Sequence, residues 1–109
     1  MTSTPKSTII RRGMPPSEIL AIVADVTGVS VNQITGRRRS RRVCTARFLA
    51  MAAISHAFPR WARVDVAECV GKADHGTIYH GIIRYRDLHD SCAEFRRLAD
   101  ALGLPYAIR

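Results

Sequence analysis

Apolar positions along the chain recur with helical spacing almost from end to end. After Pro15-Pro16, residues Ile19, Leu20, Ile22, Val23 and Val26 form one stripe that Gly28 closes. Ser30 followed by Gln33 is a capping-box pattern and predicts a very short helix over 31–35 ended by Gly36. A long helix is expected from about residue 42 to 57, apolar at Val43, Ala46, Ala50, Ala53, Ile54 and Ala57, with Pro59 beyond it. Residues 64–70 read as a short fourth helix stopped by Gly71. Asp74 is the expected N-cap of a fifth, running through about Leu88 with Ile78, Ile82 and Ile83 on its apolar positions. Ser91 with Glu94 suggests a second capping box, opening a last helix through Phe95, Leu98 and Leu102 that Gly103 and Pro105 end. No segment alternates with period two long enough to be a strand. The expectation is an all-α bundle of about six helices, with residues 1–15 a flexible leader, 16–104 the domain and 105–109 a tail.

The segment 64–88 carries the most specific local grammar. A short helix, a turn opening with glycine and a longer second helix make a helix-turn-helix. In that motif the first residues of the second helix meet base edges in the major groove. Here they are Asp74, His75, Gly76 and Thr77, small or polar throughout.

Charge sharpens the picture. The 109 residues hold 17 Lys+Arg against 9 Asp+Glu, a formal net charge of +8. Nearly all the excess precedes residue 48, and its densest part is RRRSRR at 37–42. Clustered like charges repel one another, and a polyanionic partner relieves that repulsion. By charge alone this loop is equally well a solvated basic turn; with the motif downstream, DNA contact is favoured.

Several classes are excluded. The longest apolar run, 48–54, is far short of the ~20 residues a membrane span requires. Gly71-Lys72 is not a P-loop, because Val66 stands where the first glycine belongs and Ala73 replaces the hydroxyl residue. Cys44, Cys69 and Cys92 are widely spaced and form no CxxC, so reduced thiols are expected rather than disulfides or a metal site. His75 and His80, five apart, do not share a helix face well enough to ligate a metal together. No serine sits on a strand-to-helix elbow that would suit a hydrolase. Phe58, Trp61 and Tyr85 are read as packing residues. No enzyme, cofactor or metal is expected.

GRRRSRRVCTAR at 36–47 followed by VAECVGKADHGTIYHG at 66–81 resembles the C-terminal DNA-binding domain of the bacterial replication initiator DnaA. The likeness covers roughly residues 16–100. That family has a basic loop before a long helix, then a helix-turn-helix with a signature close to glycine-arginine-aspartate-histidine-threonine-threonine-valine, an apolar residue and histidine. The resemblance implies double-stranded DNA as partner. Arg39 matches the loop arginine that enters the minor groove, and Arg37 and Arg47 match positions at or near the DNA backbone. Arg38 and Arg41 share the loop. Asp74 and His75 match the base-reading pair, Thr77 the second threonine and His80 the histidine that touches phosphate.

Three positions depart from the family pattern. Gly76 replaces the first threonine, Ala73 replaces the signature arginine with Lys72 beside it as a substitute charge, and Phe48 stands where a polar residue is common. The sequence read by this chain therefore need not be the family's. The family's ATP-dependent module would have to precede the domain, and only leader residues do. The expectation is a cytoplasmic, nucleoid-associated, stand-alone regulator of replication or transcription in a bacterial or phage setting, with replication or transcription proteins as further partners and no membrane association. The competing class, supported by Gly76 and Ala73, is an RNA-binding or protein-interaction module that keeps the fold without specific DNA reading.

Overall fold

The structure, a computed structural model, describes residues 8–37, 39–71 and 75–108, without the side chains of residues 75–77. Six helices follow one another: α1 Pro16–Thr27, α2 Val31–Thr35, α3 Arg41–Ala57, α4 Arg63–Cys69, α5 His75–Ser91 and α6 Ala93–Ala101. No strand occurs among the described residues. The chain is an all-α helix-turn-helix bundle.

Local chemistry accounts for most boundaries. Pro16 opens α1, where a missing N–H costs nothing, and Gly28 closes it in the left-handed conformation at φ 75°. Ser30 Oγ accepts from the Gln33 backbone N–H while the Gln33 side chain accepts from the Ser30 N–H, completing the expected capping box of α2. Ser40, between the loop arginines, accepts from the Val43 N–H and caps α3. At α4 the Asp65 carboxylate accepts from the Ala62 N–H.

α3 is the centre of the bundle and contacts α1, α2, α4 and α5. Its alanine-rich stretch from Leu49 to Ile54 is buried on every side, which only small residues allow where several helices approach one rod. α5 lies so close to α3 that a Cβ on Gly81 would strike the Met51 sulfur, and Met51 is itself buried. That approach, with Ile78 and Tyr85 on the same buried face, fixes the rotation of α5 about its axis.

Both ends depart from the expected leader and tail. Ile10 and Met14 are buried in the core, the Ile10 N–H donates to the Leu102 carbonyl at 2.9 Å and Gly13 N–H to the Ala57 carbonyl at 3.0 Å. Residues 8–15 are thus part of the packed body, tied to the end of α3 at Ala57 and to Leu102 after α6. At the other end Leu104 and Ile108 are buried, and the carbonyls of Pro105 and Ile108 accept from Tyr85 and Arg86.

The expected second capping box does not form. Ser91 is the last residue of α5 and its hydroxyl donates back to the Asp87 carbonyl at 2.7 Å, while the N-cap of α6 is Cys92. α5 runs past Leu88 because Tyr85 packs edge-on against Phe95 of α6, with ring centroids 5.6 Å apart. Arg96 then bridges the joint through the carbonyls of His89 and Asp90.

Tyr85 makes this joint testable. Burial, and secondly the negative charge of Asp100, pushes its phenol up to about 12 from an ordinary value near 10. The folded state therefore keeps a proton that the unfolded chain releases. The resulting stability is complete below about pH 10 and declines as pH rises toward 12. Tyr85→Phe should cost about 1 kcal/mol at neutral pH by deleting the bond to Pro105, and urea unfolding should show a shallower alkaline decline in the variant than in the parent.

Candidate nucleic-acid interface

The helix-turn-helix is built by α4 and α5 around Gly71. Val66, Ala67 and Val70 point into the core from α4, and Ile78, Gly81 and Tyr85 do so from α5. The opposite face of α5 then carries Tyr79, His80, Ile83 and Arg84 outward, all exposed. Gly71 has φ 76°, a conformation that side chains with a Cβ resist. A Cβ there would also collide with the carbonyl oxygen of Thr35, the last residue of α2. Gly71, at the end of α4, therefore lies against the residue from which the basic loop departs.

The loop itself sorts its arginines into two groups. Arg37, Arg39 and Arg41 are exposed, and among the described residues no carboxylate pairs with them. Arg42 and Arg47 are instead engaged within the protein, Arg42 at an exposed site and Arg47 in the interior. The Arg42 guanidinium donates to the Gly28 carbonyl at 3.2 Å, tying the start of α3 to the end of α1. Arg47 is only 6% exposed. Its Nε donates to the Ile34 carbonyl at 2.7 Å, and its Nη2 to the carbonyls of Gln33 and Gly36 at 3.1 and 3.0 Å. Carbonyls at a helix C-terminus carry partial negative charge and lack intrahelical donors, which is why a buried guanidinium is satisfied there. Arg47, expected at or near the DNA backbone, here holds the root of the loop.

The remaining expected residues fall as follows. His80 is exposed on α5, with its ring edge-on to Tyr79 at 6.2 Å between centroids. His75, Gly76 and Thr77 form the first turn of α5, with side chains outside the described residues, as are Arg38, Lys72, Ala73 and Asp74, including the expected Asp74 cap. Phe48 is half-buried against the core. Trp61, expected as packing, stacks on Phe58 at 3.9 Å but remains 38% exposed.

The cysteines are free and half-buried. Burial, then the charges of Glu68 and Asp65, push the Cys69 thiol up, away from thiolate reactivity. No group of three potential metal ligands occurs among the described residues. No helix among them is long and apolar enough to cross a membrane.

Sequence reasoning missed two residues on this surface. Tyr79 is 52% exposed, and the Arg63 guanidinium carbon lies 5.3 Å from its ring centroid. The signal was present: once Ile78 and Ile82 are assigned to the core, helical period turns position 79 outward.

A glycine turn joining two helices, with an exposed second helix beside a basic loop, defines a helix-turn-helix domain of the nucleic-acid-binding kind. Residues 16–84 match the family described as the bacterial dnaA protein helix-turn-helix, and the chain belongs to that family. Membership implies binding to double-stranded DNA. No solved structure gives a significant match.

Two substitutions probe the joint between loop and turn. Gly71→Ala combines a left-handed backbone with a backbone collision, so a loss of about 2–4 kcal/mol is expected in denaturant unfolding. Arg47→Met removes three bonds from a buried cation and should cost about 2–3 kcal/mol. Arg39→Ala, at an exposed site, should leave the unfolding midpoint within about 0.5 kcal/mol of the parent.

Proposed function

We propose that this domain reads a specific duplex sequence through two adjacent grooves. The head of α5, with Asp74, His75 and Thr77, enters the major groove, and Arg39 reaches from the loop into the neighbouring minor groove. His80, Arg37, Arg38, Arg41 and Lys72 supply contacts to the intervening backbone. The observation that carries this reading is the seating of Gly71 on Thr35. It brings the root of the basic loop against the end of α4, the first helix of the motif, which supports two-groove reading.

The chemistry divides in the usual way for DNA recognition. Phosphate contacts give affinity and register, while base-edge contacts give sequence choice. Each arginine that neutralises a phosphate releases condensed counterions, so binding weakens as salt rises. A narrow minor groove concentrates negative potential and draws in arginine, which suits an exposed Arg39 flanked by further cations. Gly76 offers no side chain to a base, so reading at that point falls to its neighbours. Occupancy of such sites makes the protein a regulator of replication or transcription, by competition or recruitment at the DNA.

Selecting duplexes from a random pool tests the reading directly. One preferred word should emerge, and its absence would favour a module that keeps the fold without specific reading. With about six phosphates neutralised, log K should fall against log salt with a slope near −5. Arg39→Ala should weaken binding to the selected word by about 1–3 kcal/mol. His75→Ala should lose discrimination between selected and random duplexes more than it loses overall affinity. Equal losses on both would show that His75 does not read a base.

A further inference from the structure

One cation of the helix-turn-helix lies outside the loop and outside the set expected from the sequence. Arg63 opens α4, is exposed, and pairs with no carboxylate among the described residues. The nearest acid on its own helix, Asp65, is engaged by the Ala62 N–H. The guanidinium instead sits over the ring of Tyr79, across the gap between the two helices. A cation–π contact uses the charge and the flat face of the ring and leaves the guanidinium N–H donors available. The Tyr79 hydroxyl likewise has no hydrogen-bond partner among the described residues.

Three further contacts fix where Arg63 stands. Phe58 and Trp61 stack nearly parallel, at 12° between planes, and so stiffen the connection leading from α3 into α4. The Trp61 N–H donates to the Phe58 carbonyl at 3.0 Å, closing that connection into a tight turn. The Asp65 cap then starts the helix at Arg63. On the other side, the close passage of Gly81 over Met51 sets the rotation of α5, which leaves Tyr79 facing out beside His80. Arg63 and Tyr79 are thus a cation and a hydroxyl brought together from two anchored helices, at the outer edge of the proposed groove-reading face.

We infer that Arg63 and Tyr79 together bind one phosphate of the DNA strand that borders the major groove, about a turn along α5 from its head. This rests on the two-groove reading above and adds a contact to it. The guanidinium supplies charge and paired donors matched to phosphate oxygens. The ring holds the guanidinium in place before DNA arrives, which reduces the ordering cost of a long side chain. The phenol hydroxyl donates a further bond to the same phosphate or its neighbour. The pair is well suited to a chain whose recognition helix carries glycine at position 76, because it returns affinity without demanding a particular base.

The test uses the full chain, a short labelled duplex of random sequence and a second duplex carrying the selected word. Arg63→Ala should weaken both complexes about five- to tenfold and reduce the magnitude of the salt slope by about 1. Tyr79→Leu should weaken both by a smaller factor. The double variant should lose more than Arg63→Ala alone but less than the product of the two single losses, because with Arg63 gone the ring has nothing to hold and only the hydroxyl contact is lost in addition. Tyr79→Phe keeps the ring and isolates the hydroxyl; it should lie between parent and Tyr79→Leu. Both side chains are exposed, so thermal unfolding of every variant should match the parent. If Arg63→Ala leaves affinity and salt slope unchanged while Arg39→Ala lowers both, the phosphate pair is refuted and the two-groove reading survives. A parent that binds neither duplex refutes both.

Discussion

The C-terminal end of α2 is the point on which the rest of this structure turns. A five-residue helix has little stability of its own, since nucleation is unfavourable and only a few internal bonds form. The carbonyls at its end are also short of intrahelical donors, although the Gly36 N–H reaches that of Gln33. Arg47 solves both problems from α3 by donating to the carbonyls of Gln33, Ile34 and Gly36. Gly71 then packs against Thr35 from the other side, close enough to exclude any side chain. One short helix is thereby clamped between the central rod and the helix-turn-helix. The basic loop leaves from that clamp, so its root is coupled to the end of α4 through the backbone contact of Gly71 with Thr35.

The same clamp explains how five arginines in six positions are tolerated. Arg42 of that segment is drawn to the Gly28 carbonyl at the end of α1, so its charge is partly offset by the negative end of a helix. Arg47, just downstream of the segment, is drawn in the same way to the end of α2. Arg37, Arg39 and Arg41 have no such compensation and remain in solvent, where their mutual repulsion is screened only by salt. A polyanion therefore acts on a loop already divided into anchoring and free arginines. Sequence alone made the six positions look equivalent, because composition reports charge and not which carbonyl lies within reach.

What could be read from the sequence was what is local. The Ser30–Gln33 capping box, the Gly28 stop and the span of α2 are set by residues a few positions apart, and they form as read. The Ser91–Glu94 pattern has the same local form and fails, because Tyr85 and Phe95 pack across the joint and carry α5 three residues beyond Leu88. Long-range choices were opaque for the same reason. Ile9-Ile10 looks like an isolated apolar pair in a leader, yet Ile10 is core because the end of α6 presents Leu102 and its carbonyl to it. The helix-turn-helix was legible from Gly71 and the polar head of α5. The burial of Arg47 was not, since a family position near DNA and a buried guanidinium are indistinguishable in a string of letters. Tyr79 lay in between: its outward direction follows from period, but the cation above it comes from another helix.

Anchoring α5 so firmly has a consequence for how its outer face can change. Gly81 against Met51 and Tyr85 against Pro105 fix both the rotation and the sliding of the helix. A substitution on the exposed face cannot be accommodated by re-docking the helix, so each exposed position acts on DNA from a fixed place. On the proposed reading, the contact that glycine cannot make at position 76 is not restored by a shift of the helix. Compensation has to come from positions already aimed outward, and the nearest described ones are Tyr79 and His80, a turn further along. Both suit phosphate better than a base edge, Tyr79 through its hydroxyl and the cation it holds. On the proposed two-groove reading, binding by such a chain depends more on backbone and less on sequence, and the loop arginine proposed for the minor groove provides more of the choice.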